Sequence, residues 1–342
     1  MKTKNKYSIY YKIIKHNNFD LDILCTNNEP NYYTLYDIGI NFTVHDLDTS
    51  YQYILKRIKS NEIYDKEIIT LFMNLLDKSY HILSNNNLKK EYDNSLKYNS
   101  DEFMQYLSPN NKYYADPILF EYNSHDYIFY EDYDYNKGFI SCVEIKKNGN
   151  ISKPQTVLKR PYHISFPFVF HAHNNIYMIP ETSNNRTIEL YKCLEFPSKW
   201  QCLKIIKNKI WANDTIVFNH NNIWWMFTSI GNLHNHSIFY TNSVEDNWKA
   251  HPYNHQKKLY GRAAGNIFHY KNKLLRPVQC GIPRYGYCLI FYEILELTPT
   301  SYKEVIYKTF YPNWKKNLIG THTFNMNDNF IIIDGKTKVP KM

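Results

Sequence analysis

The sequence predicts a two-domain chain of the α + all-β class, a small helical domain followed by a five-bladed β-propeller. Three observations carry that reading. The apolar pattern is helical up to about residue 100, changes to short aromatic strands from 113 onward, and those strands then recur about every fifty residues. A chain of 342 residues with 43% hydrophobic side chains has enough apolar material for two cores. Its 41 Asn against 6 Ala and 6 Arg follow AT-rich codons, so the Asn content is not read as a low-complexity segment.

In the first part, residues 46–60 place Leu47, Tyr51, Ile54, Leu55 and Ile58 on one face, with Asp46 or Asp48 as the cap. Residues 66–84 repeat the pattern with Ile68, Leu71, Phe72, Leu75 and Leu76, which gives an antiparallel helical pair. A short basic helix is expected over 87–97. Pro109, Asn110 and Asn111 then punctuate the change of pattern.

The words LYDIGI (35–40), LLDKSYHILSN (75–85) and LKKEYD (88–93) resemble a J domain, with Tyr36, Gly39, Tyr80, Leu83, Ser84, Tyr92 and Asp93 at the matching places. The resemblance covers residues 31–97. It implies docking on a seventy-kilodalton heat-shock chaperone, for which Lys56, Arg57 and Lys59 keep a basic second helix. The family's HPD trigger is missing, because the loop reads Ser60-Asn61-Glu62-Ile63-Tyr64-Asp65-Lys66. Binding without stimulation of the chaperone is the expectation, with a plain docking or spacer hairpin as the alternative.

Five stretches of the second part align on Phe120, Phe170, Phe218, Phe268 and Phe324. Each is a strand, an Asn-bearing turn and an aromatic strand, and the turns include Asn174-Asn175, Asn221-Asn222 and Asn327-Asp328. About fifty residues holding four strands make one propeller blade. The expected division is an N-terminal segment 1–30, the J-like domain 31–97, a linker 98–111, the propeller 112–336 and a tail 337–342.

The innermost strands of a propeller converge on its axis, so matching columns of the repeats line a funnel. Four residues before each anchor stand Asp116, Phe166, Asp214, Ala264 and Gly320, with His322 close by. Ten or eleven after it stand Glu131, Glu181, Ser229, Gln279 and Asp334. Arg262, Arg276 and Arg284 gather around the fourth repeat, and Arg suits bidentate contacts to carboxylate or phosphate. The candidate catalytic residues are therefore Asp116, Glu181 and Asp214, and the candidate ligand-binding residues are Glu131, Arg262, Arg276, His322 and Asp334. Each has a plain structural alternative: Asp116 and Asp214 as strand-turn caps, Glu131 and Glu181 as rim charges. Of the adjacent Trp224 and Trp225, which face opposite ways on a strand, one belongs to the core and the other is a candidate sugar platform.

The stretches ADPILF, PYHISFPFVF, IYMIPETSNNRTIELYKCLEFPSKW, DTIVF, WWMFTS, GRAAGNIF, RPVQ and HTFN resemble the N-terminal family of glucosamine inositolphosphorylceramide transferases, over residues 112–336. The resemblance implies a fold similar to the five-bladed furanosidase-type glycoside hydrolases and a carbohydrate or nucleotide-sugar-like ligand. It places Asp116 at the hydrolases' first aspartate and offers Glu181 and Asp214 as acid and helper, in a chain order that departs from theirs. No separate transferase domain is expected, because only the tail 337–342 follows the fifth repeat.

The net charge of +9 arises after residue 105, where 28 Lys/Arg face 18 Asp/Glu. The lysines are dispersed without a basic run, which reads as a solvated surface and not as a nucleic-acid site. No apolar run approaches the roughly 18–20 residues that span a bilayer. The basic N-terminus lacks a small-residue cleavage site, so no signal peptide is expected. Six scattered cysteines without C-x-x-C spacing read as reduced thiols of a cytoplasmic protein, with no metal and no cofactor. If the recurrent acids line a ligand funnel, Asp116→Ala is expected to keep the fold and lose any thermal shift with sugars. A folded variant with an unchanged sugar response would remove Asp116 from the site.

Overall fold

The computed structural model describes residues 7–15, 20–26, 30–60, 64–96, 104–109, 111–146, 150–231, 235–255 and 261–338. The chain opens on β1 (Tyr7–Lys15). It then runs through α1 (Leu21–Thr26), α2 (Tyr32–Tyr36), α3 (Val44–Lys59), α4 (Lys66–Ser84) and α5 (Asn86–Ser95) to β2 (Met104–Leu107). Four antiparallel sheets follow in chain order. The first holds β3 (Tyr113–Tyr122), β4 (His125–Tyr133), β5 (Gly138–Ile145) and β6 (Gln155–Leu158). The second holds β7 (Ser165–Ala172), β8 (Asn175–Thr182), β9 (Thr187–Glu195) and β10 (Lys199–Asn208). The third holds β11 (Ala212–His220), β12 (Ile223–Ile230), β13 (Asn235–Thr241) and β14 (Lys249–Ala250), and the fourth β15 (Phe268–Tyr270), β16 (Lys273–Cys280), β17 (Cys288–Leu297) and β18 (Tyr302–Phe310). The last combines β19 (Leu318–Gly320), β20 (Phe324–Met326) and β21 (Phe330–Lys338) with the first two strands of the chain, in the order β19-β21-β1-β2, with β20 also on β21.

The expected fold class is corrected by this topology. The protein is mostly β, with 49% of the described residues in strands, arranged as separate small sheets of which, among those residues, none closes on itself. The helices do not form a domain that precedes a five-bladed propeller. They leave the chain between β1 and β2, two hydrogen-bonded strands of one sheet. That sheet needs β1 as the partner of β21, in register from Tyr7 opposite Lys338 to Lys15 opposite Phe330. Residues expected to form an N-terminal segment are thus an interior strand.

The anchor phenylalanines fall in five different sheets, on β3, β7, β11, β15 and β20. Tight hairpins join the first two strands of the first four sheets. Asn123-Ser124, His173-Asn174, Asn221-Asn222 and Lys271-Asn272 all have positive φ, as a two-residue turn of matching twist demands. The second turn is therefore one residue earlier than Asn174-Asn175. At Asn327 the side chain accepts hydrogen bonds from the backbone N–H of Asn329 and Phe330 at 3.0 and 2.8 Å. Apolar cores lie between neighbouring sheets. One joins Phe129 and Ile140 to Met178 and Tyr191, another joins Phe227 to Leu274 and Ile294, and a third joins Tyr11, Ile13 and Ile332 to Ile128 and Val143.

Helix α3 starts on a capping box. Thr43, not Asp46, is the cap: the Asp46 N–H donates to its Oγ1 at 3.2 Å, and the Asp46 carboxylate accepts the Thr43 N–H at 2.8 Å. Leu47, Ile54 and Ile58 of α3 meet Ile68, Phe72, Leu76 and Leu83 of α4 in one buried cluster. The residues behind the J-like words act as internal clamps. The Tyr36 hydroxyl donates to the Leu76 carbonyl at 2.8 Å, and the Tyr92 ring stacks on Tyr32 at 4.5 Å. The same cluster takes in Cys280, Ile282, Tyr287, Ile290 and Tyr311 of the sheet region, so much of the helical apolar surface is spent on the β body. Residues 61–63, within the loop that lacks the HPD trigger, lie outside the described residues. Among the described residues no helix is long and apolar enough to cross a membrane.

Phe72 is almost fully buried in this shared core. Phe72→Ala is expected to cost about 3–5 kcal/mol and to move a single urea transition. A second transition left in place would instead make the helices an independent domain.

Candidate functional site

A recurring backbone irregularity builds the centre of the molecule. The first strand of each of the first three sheets slips register, between Ala115 and Ile118, between Ser165 and Phe168, and between Asn213 and Ile216. The residue after each slip begins in the left-handed region, with φ of 50° at Asp116, 42° at Phe166 and 48° at Asp214. Such a bulge breaks the two-residue alternation and re-aims one side chain. Asp tolerates this conformation better than most residues, whereas at Phe166 the packing of a fully buried ring must hold it. In the fourth sheet the bend falls to Gly265, at φ +141°, where a Cβ would run into the Phe324 carbonyl.

The neighbouring strand supplies the second column. Glu131 faces Ala115, Glu181 faces Ser165, and Ser229 faces Asn213. Gln279 and Asp334 hold the corresponding places: the Gln279 N–H donates to the Arg262 carbonyl at 3.0 Å, and the Asp334 N–H to the Thr323 carbonyl at 3.3 Å.

Two charge-paired groups result. In one, the Arg262 guanidinium grips Asp214 bidentately, with Nε at 2.5 Å and Nη2 at 3.0 Å, and lies 3.6 Å from Glu181. The Gln279 amide adds a bond to Asp214 at 3.0 Å, and Glu181 accepts the Ser183 hydroxyl at 2.7 Å and the Asp214 N–H at 3.3 Å. In the other, His322 bridges two acids, meeting Asp334 through Nδ1 and Asp116 through Nε2 at 3.3 Å. The Asp334 carboxylate also accepts the backbone N–H groups of His322 and Thr323, each at 2.8 Å. Glu131 lies 3.5 Å from His163, whose Nδ1 accepts the Gly138 N–H at 2.9 Å.

Burial and these neighbours set the protonation states. Burial first, then the adjacent Asp214 charge, pushes the Glu181 carboxyl up to about 8. Glu131 is held well above the usual carboxylate range by burial and by Asp116 and Glu181. Burial alone would lower His322, but Asp334 and Asp116 outweigh it and carry the imidazole up to about 10. The same imidazolium holds Asp334 down against its own burial. Near neutral pH the Glu181 carboxyl is therefore largely protonated and the His322 imidazole is charged.

Of the sequence candidates, Asp116, Glu131, Glu181, Asp214, Arg262, His322 and Asp334 meet here. Arg276 does not. It is fully buried in the fourth sheet and gives its Nε and Nη2 to Glu304 at 2.9 and 2.7 Å. Trp225 is core, and Trp224 packs on Phe170 near the hairpin turns. It is five residues along β12 from Ser229, about 16 Å at strand rise. His163 was missed, although the column seven residues before each anchor contains it. Tyr285 was also missed, on the β16–β17 connection, where no repeat column reaches. Among the described residues no group of three or more His, Cys, Asp or Glu is placed to hold a metal ion.

Residues 101–327 match the family model of the glucosamine inositolphosphorylceramide transferase 1 N-terminal region. The chain belongs to that family. Glucosamine inositolphosphorylceramide transferase 1 of Arabidopsis thaliana is 32% identical over 56% of this chain and 26% of its own length. That of Oryza sativa subsp. japonica is 33% identical over 43% of this chain and 21% of its own. The chain therefore spans about a quarter or less of these curated relatives. A candidate glycoside hydrolase of Bacteroides ovatus, 10% identical, shares the fold with a TM-score of 0.52 over 66% of this chain and 86% of that one.

The family match begins at residue 101 and leaves the helices outside it. Neither the J domain nor the chaperone partner finds support in these comparisons. The cytoplasmic placement is corrected as well, since the relatives are named for a transferase whose named substrate, inositolphosphorylceramide, is a membrane sphingolipid.

The charge states predict a pH dependence. Glu181 and His322 both keep a proton in the folded chain that the unfolded chain has lost, Glu181 from the carboxylate range up to about 8 and His322 from the imidazole range up to about 10. Their contribution is therefore complete at low pH and falls as pH rises through those windows. Glu181→Gln is expected to flatten the fall of stability between about pH 4.5 and 8, and His322→Gln the fall between about 6.5 and 10. Urea midpoints measured across pH check both, and unchanged slopes would refute the assignments.

Proposed function

We propose that the acid-rich centre of the five sheets is a carbohydrate-binding site. The observation that carries this reading is the convergence of the Asp116–His322–Asp334 and Glu181–Arg262–Asp214 groups from the first, second, third and last sheets and from the segment before β15. Sugar hydroxyls both donate and accept, and the site offers carboxylate acceptors beside N–H donors. The relatives' name supplies two ligand parts, glucosamine and an inositolphosphoryl headgroup. Charge favours the first. Arg262 and His322 are already held by carboxylates, so a phosphate would face net negative charge while an ammonium or a neutral sugar would not.

A second reading, turnover, draws on Glu181. Glycoside hydrolysis needs one protonated carboxyl as acid and one carboxylate as base or nucleophile. A Glu181 carboxyl raised to about 8 suits the acid, and Asp116 or Asp214 the partner.

Thermal shift with glucose, glucosamine, N-acetylglucosamine, myo-inositol and inositol phosphate tests the binding reading. A sugar at ~100 times its dissociation constant adds ~2.7 kcal/mol. The expected outcome is a shift with glucosamine or a neutral sugar, none with inositol phosphate, and loss in Asp116→Ala. No shift with any sugar would refute it. Release of nitrophenol from nitrophenyl glycosides tests turnover, which Glu181→Gln should lower by at least a hundredfold while binding persists.

A further inference from the structure

We propose that Tyr285 is the stacking platform for the sugar at the mouth of this site, and that the inserted helical segment holds the loop that presents it. The inference rests on the carbohydrate reading above and assigns the helices a part in it.

Tyr285 lies on the connection between β16 and β17 and is 49% exposed, unusual for a large aromatic beside a buried polar cluster. Its position ties it to both charge-paired groups. The Arg262 guanidinium sits 5.0 Å over the ring, and the His322 ring meets it edge-on at 6.0 Å and 75°. Those are the cations of the two groups, so the ring lies where they adjoin. A pyranose has one face of C–H bonds and a rim of hydroxyls. Laid on the exposed part of the Tyr285 ring, it buries that face while its rim reaches toward the carboxylates.

A platform discriminates only if it is held in place. The loop backbone comes close to His322: a Cβ on Gly286, at φ +67°, would lie 3.3 Å from the His322 Cβ. The Tyr287 N–H donates to the carbonyls of Cys280 at 3.0 Å and Arg284 at 3.2 Å, and its ring is fully buried among the helical tyrosines. Both ends of the loop are then fastened to the helical segment. The Gly281 N–H donates to the Tyr64 hydroxyl at 2.7 Å, just before α4. Arg284 spans three carbonyls: Nε reaches Ile319 at 3.1 Å, Nη1 reaches Leu35 at 3.4 Å, and Nη2 donates to Thr34. Thr34 in turn donates its hydroxyl to the Leu318 carbonyl at 3.2 Å, which ties α2 to the last sheet beside the loop.

Titration calorimetry on the full chain with glucosamine and with glucose tests this, using wild type, Asp116→Ala, Tyr285→Ala, Tyr285→Phe and Arg284→Ala. Tyr285→Ala is expected to weaken binding of the sugar that wild type takes by ten- to a hundredfold with an unchanged melting point. Tyr285→Phe, which keeps the ring, should bind within about twofold of wild type. Arg284→Ala should weaken binding several-fold and speed hydrogen exchange of amides 281–287. If wild type binds and Asp116→Ala does not, yet Tyr285→Ala binds normally, the platform is overturned while the carbohydrate site stands. Normal binding and exchange in Arg284→Ala would overturn the role given to the helices. If wild type binds neither sugar, the carbohydrate reading and this inference fall together.

Discussion

The pairing of β1 with β21 is the constraint on which the rest of the structure depends. Nine residues near the start of the chain lie in register against nine near its end. The last sheet thereby gains an interior strand, and its buried Tyr11 and Ile13 pack on the first sheet. Because β2 pairs on the other side of β1, everything between the two strands must leave the sheet and return. The helices are that excursion. Tyr11 also carries the pairing to the centre, since its hydroxyl donates to the carbonyl of Ala115, next to Asp116, at 3.4 Å.

At that centre, acids are gathered at a density that would be prohibitive without compensation. A carboxylate withdrawn from water is tolerated when a cation or N–H donors replace the water, and otherwise takes a proton. Both solutions occur here. Asp214 has Arg262 and Gln279, and Asp334 has His322 and two backbone N–H groups. The Glu181 carboxyl takes the other course and is pushed up to about 8, and burial raises Glu131 in the same direction. The result is a surface on which hydrogen-bond donors and acceptors lie side by side.

Much of this was legible in the residues. The five anchors fall on five sheets, the helix limits lie within two residues of those expected for α3 and α4, and five acids named from the repeat columns meet Arg262, named from the arginine cluster, and His322, named beside a column, at one place. Arg276 shows the limit of that reasoning. It shares a sheet with Gln279 but faces Glu304, because alternation along β16 sends residues three apart to opposite sides. Tyr285 shows the other limit: its loop belongs to no repeat, and its neighbours Arg262 and His322 are distant along the chain.

The sequence by itself determined the periodicities, the turn-forming stretches to within a residue and the recurrence of acids at matching positions. These are local properties, set by backbone preference and by which face of a strand or helix is apolar. Only the tertiary structure decided that the first strand completes the last sheet, that the helices spend their apolar face on the β body, and which acids keep their protons. Each of those depends on contacts between residues tens to hundreds of positions apart, and on burial, which no single stretch of sequence encodes.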